Sequence, residues 1–326
     1  MSDLMTLEDV RMYFRVRKGL FGSAIVRAVD GVSLSLRKGE TVAVVGESGC
    51  GKTTLGRVSL RLLRPTAGRV IFEGRDITYQ EESELIWFRR RAQAIFQDPY
   101  SSIDPFMNVY QIVEEPLLIH KVGDRGERRE LVYKALEDVR LTPVEEIVTK
   151  HPHMLSGGQR QRVGIARALI LRPDYMVADE PVSMIDASSR AEILYLLRDL
   201  QERYGITFLY ITHDIATAKH FSDRIAVMYL GRVVELAPSD EVIGEPLHPY
   251  TRALMEAVPE PDPANRLRER PVIPGEPPSP IDMPPGCRFH QRCPLATERC
   301  KVEEPSLAEL KKGHEVACYL QDSQLK

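Results

Sequence analysis

The segment from Gly46 to Thr53 contains residue types that can hold the phosphates of a nucleotide. Its sequence, GESGCGKT, fits the pattern G-x-x-x-x-G-K-[ST], in which backbone N–H groups wrap a phosphate and the lysine reaches the β- and γ-phosphates. An apolar run, Thr41–Val45, precedes it, and we expect a helix to begin near Gly51, so that the helix N-terminus adds its partial positive charge. We therefore predict a phosphate-binding loop in which Lys52 contacts phosphate and the Thr53 hydroxyl ligates Mg²⁺. The nucleotide-binding residues predicted here are Gly46, Glu47, Ser48, Gly49, Cys50, Gly51, Lys52, Thr53 and Thr54.

A second stretch, Tyr175–Glu180, is an apolar run that ends in two acids. If the run is a strand, Asp179 lies at its C-terminal end, where it can hold the Mg²⁺ shell, and Glu180 can polarise an attacking water. Alone, such a pair is equally compatible with a solvated strand end. Coupled to the phosphate loop, it predicts phosphoryl-transfer chemistry.

A third stretch, Ser156–Gln159, reads SGGQ and opens a long helical pattern over 160–171. Serine and glycines at a helix start provide a second anion-binding position in the same chain.

These three motifs, in this order, closely resemble the signature of ATP-binding cassette (ABC) proteins, over about residues 4–255. The resemblance implies an α/β fold with an ABC-type P-loop nucleotide-binding domain: a mostly parallel sheet core, an N-terminal antiparallel β region and an inserted helical subdomain. It also implies that two subunits pair, the signature of one closing over the nucleotide on the phosphate loop of the other. The signature residues are Ser156, Gly157, Gly158 and Gln159.

Three further residues match motifs of the ABC family. Gln97 resembles the glutamine that in the family senses Mg²⁺ and water and contacts the transmembrane partner, and His213 resembles the histidine that contacts the γ-phosphate. Asp186, in Ser-Met-Ile-Asp, resembles the aspartate of the D-loop, with Met-Ile where Ala-Leu is common. The implied catalytic residues are Glu180, His213, Gln97 and Lys52, and the implied Mg²⁺ ligands are Thr53, Gln97 and Asp179.

An aromatic residue upstream of the phosphate loop is expected to stack on adenine. Phe21 is our candidate, with Phe14 and Tyr13 as alternatives, and each could equally be core packing.

Cysteines crowd towards the C-terminus. Cys287, Cys293, Cys300 and Cys318 are spaced C-x5-C-x6-C-x17-C, and four thiolates can hold a [4Fe–4S] cluster or a structural Zn²⁺. No C-x(2–4)-C knuckle is present, which disfavours zinc, and reduced thiols without metal are a third reading.

The elements that must position these residues follow from hydrophobic periodicity. Alternation over about 3–45 predicts an antiparallel β region, and strand-like runs at 175–178, 207–211 and 225–229 alternate with helical stretches. We predict an ABC ATPase domain over 1–258, with its helical subdomain at about 105–172. Proline-rich sequence then predicts a linker at about 259–285 within a C-terminal extension, 259–326, that ends in a small cysteine-bearing module.

The composition does not indicate a protein that binds nucleic acid or spans a membrane. Forty-four Lys and Arg against 47 Asp and Glu give a net charge of −3, and no apolar run is long enough to span a bilayer. The opening residues lack the features of a secretory signal and five cysteines are too sparse for a disulfide scaffold, so we expect a reducing, cytosolic location.

Sequence after the core resembles one branch of the family. Leu247–Leu254 and the Pro-Gly-Glu-Pro-Pro run from Pro274, together with Phe96–Pro105, resemble the ATPase subunits of oligopeptide and dipeptide importers. The Ser-Gly-Cys-Gly of the phosphate loop and the Leu55-Gly56-Arg57 that follows it resemble the second of the two ATPases, the F type. The branch also contains importers of di- and oligosaccharides and of nickel. The resemblance implies ATP and Mg²⁺ as ligands, a [4Fe–4S] cluster on the cysteines, and a peripheral location on the cytoplasmic face of the cell membrane. The implied partners are a second homologous ATPase, two transmembrane permease subunits and, indirectly, an extracellular substrate-binding protein. A soluble ABC ATPase of DNA repair or translation, and a cassette that binds ATP without efficient hydrolysis, are the rival readings.

Overall fold

The computed structural model of the protein describes residues 3–18, 22–98, 102–257 and 275–320. Phe21 and the predicted domain boundary at 258–259 lie outside these ranges. The strands are β1 (Asp3–Lys18), β2 (Gly22–Arg37), β3 (Thr41–Val45), β4 (Ala67–Phe72), β5 (Arg75–Asp76), β6 (Ala92–Ile95), β7 (Tyr175–Asp179), β8 (Thr207–Thr212), β9 (Arg224–Tyr229), β10 (Arg232–Pro238), β11 (Ala308–Lys311) and β12 (His314–Val316).

The longest α-helix described is α7, with 18 residues, and short 3₁₀ turns lie at Glu82–Leu85, Pro152–Met154 and His290–Arg292. They are α1 (Lys52–Ser59), α2 (Ile86–Arg91), α3 (Val109–Ile119), α4 (Arg125–Asp138), α5 (Val144–Ile147), α6 (Gly157–Leu169), α7 (Ala187–Tyr204), α8 (Ile215–Phe221), α9 (Ser239–Gly244), α10 (Pro249–Ala257) and α11 (Glu298–Val302). In the ranges described, no helix combines the length and the apolar character needed to cross a bilayer.

Contacts divide the chain into two compact units. The first contains Met1–Leu4, Leu36–Glu40 and Tyr79–Leu209, and the second contains Met5–Ser35, Thr41–Thr78 and Tyr210–Lys326. Strands β1, β2 and β8 have residues in both units.

The first unit contains strands β6 and β7 and the helices of the inserted segment, among them α3, α4 and α6. β6 lies parallel to β7, with Ala92 opposite Tyr175. Helices α3, α4 and α6 pack on one another within the range where the sequence predicts a helical subdomain. Their starts are set locally: Asn108 caps α3 and Asp124 caps α4, each in a capping box with the residue three positions later.

The second unit contains the N-terminal antiparallel sheet, in the order β2-β1-β4-β5, as the alternation in sequence predicts. It also contains β3, whose five residues are all buried and which lies parallel to β9, with Val42 opposite Arg224. A continuous apolar run such as TVAVV is typical of a parallel strand covered on both faces.

The C-terminal residues extend the sheet of the second unit. β10 turns back antiparallel on β9, β12 pairs antiparallel with β10, and β11 with β12. Within the range where the sequence predicts a small cysteine-bearing module, residues 308–316 form two strands that continue an existing sheet. Buried His314 on β12 joins buried Glu235 on β10 through its Nε2, at 2.7 Å, which fixes this pairing.

Candidate functional site

The phosphate loop lies between β3 and α1 and presses against neighbouring backbone. Gly46 has φ 153° and Gly51 has φ 107°, conformations that residues with a side chain rarely adopt. A Cβ on Gly46 would lie 2.1 Å from the carbonyl oxygen of Met228, and one on Gly51 would lie 2.0 Å from that of Ala28. Only glycine fits at both positions, which explains the two fixed glycines of the motif.

Lys52 points into this loop. Its side chain is buried, and its Nζ donates to the carbonyl oxygens of Gly46 at 2.8 Å and Glu47 at 3.0 Å. Cys50 is buried beside it, and burial raises the pKa of the thiol. A neutral thiol adds no negative charge to the loop. Thr53 and Thr54 follow in the first turn of α1.

Glu47 connects the loop to the C-terminal part of the chain. Its N–H donates to the Tyr250 hydroxyl at 2.9 Å, and its carboxylate accepts from Arg292 at 2.8 and 3.0 Å. Sequence reasoning missed both partners, because nothing in the local pattern marks a tyrosine and an arginine more than 200 positions away as neighbours of this loop.

In the first unit, the structure brings Gln97 and Glu180 together. Gln97 Nε2 donates to Glu180 Oε2 at 2.9 Å. Asp179, which directly precedes Glu180 in the sequence, is the last residue of β7 and is buried. Glu180 has φ 47°, a left-handed conformation that costs energy in a non-glycine residue and that tends to be retained at functional sites. The Ser183 N–H and hydroxyl donate to the Glu180 carbonyl oxygen and hold this turn.

The SGGQ segment starts α6, a helix of 13 residues. Ser156 Oγ accepts from the Gln159 N–H at 3.2 Å, and Gln159 Oε1 accepts from the Ser156 N–H at 3.0 Å. A Cβ on Gly157 would meet no atom within 4 Å, so the helix start borders open space that another molecule can fill. Asp186 caps α7 by accepting from the Ser189 N–H at 3.0 Å, a local role that its resemblance to the D-loop did not predict.

His213 directly follows β8 and is exposed. Asp214, the next residue, caps α8 and fixes the turn between them. Of the alternative adenine-stacking residues, Tyr13 donates its hydroxyl to Asp30 and Phe14 is half-buried in β1.

The four C-terminal cysteines line one small cavity, together with His248 and Phe289. All are free thiols, and burial raises the pKa of Cys287 and Cys318 to about 11. Within the described ranges, no three or more His, Cys, Asp or Glu side chains are grouped closely enough to hold a metal ion, so the four cysteines do not form a preformed metal site, whether for zinc or for a cluster.

Comparison with known families gives two matches. Residues 29–183 match the family described as ABC transporter, and residues 234–300 match the C-terminal region of oligopeptide/dipeptide transporters.

Curated relatives align along nearly the whole chain. A probable peptide ABC transporter ATP-binding protein, y4tS, of Sinorhizobium fredii is 48% identical over 323 residues, which are 98% of this chain and 91% of the relative. The oligopeptide transport ATP-binding protein AppF of Bacillus subtilis is 46% identical over 97% of both chains.

Solved structures of ABC proteins are also similar to this chain. The ATP-binding cassette MJ0796, determined as a dimer with ADP and phosphate, is 31% identical with a TM-score of 0.65, over 72% of this chain and 98% of its own. The protein cbiO1 of Clostridium perfringens, part of an ABC transporter complex, is 29% identical with a TM-score of 0.65, over 75% of this chain and 92% of its own. These likenesses confirm the predicted α/β nucleotide-binding fold.

Proposed function

Because this chain belongs to the ABC transporter family of ATP-binding proteins, we propose that it hydrolyses ATP as the energy-coupling subunit of a membrane importer for di- and oligopeptides. The observation that carries the importer role is the match of residues 234–300 to the C-terminal region of oligopeptide/dipeptide transporters, on a chain that also holds a complete phosphate loop.

Each residue has a defined part in this reaction. Lys52 exchanges the two loop carbonyls it now contacts for phosphate oxygens, and the loop N–H groups bind the β-phosphate. Glu180 orients the attacking water and accepts its proton, while Gln97 holds the Glu180 carboxylate in place. His213, exposed at the end of β8, is assigned to the γ-phosphate.

Mg²⁺, when bound with ATP, neutralises charge that develops on the phosphates. Thr53, Asp179 and Gln97 supply hydroxyl, carboxylate and amide oxygens, which are the donors that Mg²⁺ prefers, so these residues fit the ion.

We propose that the SGGQ helix start serves the nucleotide of a second subunit. The open space beside Gly157 leaves the N-terminus of α6 accessible to an anion from outside the chain. We assign that second subunit to a homologous ATPase, and we place the pair against two transmembrane permease subunits on the cytoplasmic face of the membrane, supplied by an extracellular binding protein.

The test of this function uses the complex of this chain with its partner ATPase and permease subunits in liposomes. We expect uptake of labelled di- or oligopeptides and ATP hydrolysis stimulated by peptide-loaded binding protein. If an oligosaccharide or nickel stimulated ATP hydrolysis and peptides did not, the proposal that the cargo is a peptide would be overturned. Purification with ribosomes or DNA in place of membrane subunits would overturn the importer role.

Glu180→Gln tests the catalytic assignment. Because the amide cannot accept the proton of the attacking water, we expect turnover to fall by at least about 100-fold while ATP binding persists and a closed ATP-bound dimer accumulates. Glu202→Gln, at an exposed glutamate paired with Arg198, is the matched control and should hydrolyse ATP at the wild-type rate. Unchanged turnover in Glu180→Gln would remove Glu180 from the mechanism.

We further propose that Cys287, Cys293, Cys300 and Cys318 hold a [4Fe–4S] cluster. What supports this proposal is that all four cysteines are free thiols and line one small cavity, although their side chains would have to move closer together to hold the cluster. The cluster would tie the C-terminal segment together. In protein purified without oxygen, we expect iron and sulfide in equal amounts and visible charge-transfer absorbance, lost in Cys293→Ser and kept in Cys50→Ser. Stoichiometric zinc, or no metal, would overturn the proposal.

A further inference from the structure

The phosphate loop contains a carboxylate, which is unfavourable for a site that binds polyphosphate. Glu47 follows the first glycine of the loop, and its backbone carbonyl is one of the two that hold Lys52. A negative charge at this position opposes the phosphates of ATP unless a cation neutralises it.

Arg292 provides that cation from the C-terminal part of the chain. Its two terminal nitrogens contact the two carboxylate oxygens of Glu47 at 2.8 and 3.0 Å, the bidentate geometry in which a guanidinium binds most strongly. The Arg292 side chain is only 6% exposed and that of Glu47 is 24% exposed, so water screens the pair weakly.

The surroundings fix Arg292 in this position. The guanidinium lies against the ring of Tyr229, with its carbon 5.9 Å from the ring centroid, and donates to the Tyr229 hydroxyl at 3.4 Å. Tyr229 packs with Tyr250 and Phe289, and Tyr250 receives the Glu47 N–H through its hydroxyl. Glu47 is therefore held at its backbone by Tyr250 and at its carboxylate by Arg292, and both of these residues contact Tyr229.

The backbone around Arg292 is anchored as well. The Arg292 N–H donates to the Phe289 carbonyl oxygen at 3.0 Å. Buried Arg288, four residues earlier, donates to Asp30 and to the Leu230 carbonyl oxygen. The segment that carries two of the four cysteines is thus attached to the nucleotide-binding region by two buried arginines.

We propose that Arg292 is a positioning residue for the phosphate loop, which it holds through Glu47 while neutralising a carboxylate that would otherwise oppose the phosphates of ATP. The C-terminal segment is then a working part of the nucleotide site. This inference rests on the proposed function, because it requires that the loop binds ATP.

The test measures equilibrium binding of a fluorescent ATP analogue with Mg²⁺ to the full chain. We expect Arg292→Gln to weaken affinity about tenfold, the size expected when one charge-assisted fork is removed. In ATPase assays of the assembled complex, KM for ATP should rise by a similar factor and kcat should stay within about twofold, because Arg292 acts on the loop and not on the water. Arg69→Gln, which breaks an exposed ion pair with Glu8 in the same unit, is the control and should bind as the wild type does.

A double-mutant cycle separates positioning through Glu47 from a general effect on folding. In the Glu47→Gln background the carboxylate is absent, so adding Arg292→Gln should cost less than about threefold in affinity. An equal loss in both backgrounds would overturn the proposal, as would unchanged affinity of Arg292→Gln alone. Failure of the wild-type chain to bind the analogue would instead refute the proposed function.

Discussion

Replacing Gly46 by alanine tests the contact between the phosphate loop and the backbone of β9. The new Cβ would lie 2.1 Å from the Met228 carbonyl oxygen, whereas ordinary contact begins at 3.4 Å, so the loop must move by about 1.3 Å. The obstacle is a main-chain atom of a buried strand, which cannot rotate away as a side chain would.

A displacement of this size misplaces the groups that bind phosphate. Errors of about 1 Å in a catalytic arrangement cost roughly 100-fold, so we expect kcat/KM for ATP to fall by that factor, or about 2.7 kcal/mol. The measurements are affinity for the fluorescent analogue, ATPase kinetics of the complex and a thermal unfolding curve for each variant.

Gly49→Ala is the matched control in the same loop. Gly49 has φ 78°, so both variants carry the strain of a positive φ, but a Cβ on Gly49 would meet no atom within 4 Å. We expect Gly49→Ala to retain far more activity than Gly46→Ala. Equal losses in the two variants, or near-normal kinetics in Gly46→Ala, would refute the steric argument.

Two further predictions concern stability. Arg288→Gln should lower the free energy of unfolding by about 3 kcal/mol, because it leaves the Asp30 carboxylate buried without its cation, and adding Asp30→Asn should recover part of the loss in urea unfolding. The second concerns pH: burial lowers the pKa of His314, but Glu235 and Glu241 outweigh burial and raise it overall. Burial raises the pKa of Glu235, but its hydrogen bonds, led by that from His314, lower it overall. The stabilising effect of the pair is therefore present in full between the usual values of 4.5 and 6.5 and is lost as pH rises through the pKa of His314 or falls through that of Glu235. The midpoint of thermal unfolding, measured across pH, should show this dependence in the wild type. In His314→Asn the decrease in the midpoint at high pH should disappear, and identical pH profiles for the two proteins would contradict the prediction.

The parts of the site that depend on short stretches of sequence could be predicted. The phosphate loop follows from eight consecutive residues between a buried strand and a helix, and the structure places Lys52 inside it. The starts of α3 and α4 follow equally from capping residues beside each helix.

Contacts between distant residues could not be derived from periodicity. Gln97 and Glu180 are 83 positions apart, and only resemblance to a family assigned them to one reaction. Arg292 lies 245 positions from Glu47 and carries no motif, so its role emerged only from three-dimensional contact.

The pairing of β12 with β10 was missed for a different reason. β12 has only three residues, too few for alternation to be recognised, and it follows proline-rich sequence that predicts a break in the fold. A strand of this length forms only because an existing edge and the buried Glu235 receive it.

This strand pairing bears on how the protein can be divided. A fragment that stops near residue 258 looks like a complete cassette in sequence. It would nevertheless lack β12, so the edge of β10 that pairs with β12 would be exposed to other molecules. Such a fragment should self-associate through the unpaired edge of β10. The ATPase activity measured on it would then not represent that of the full chain.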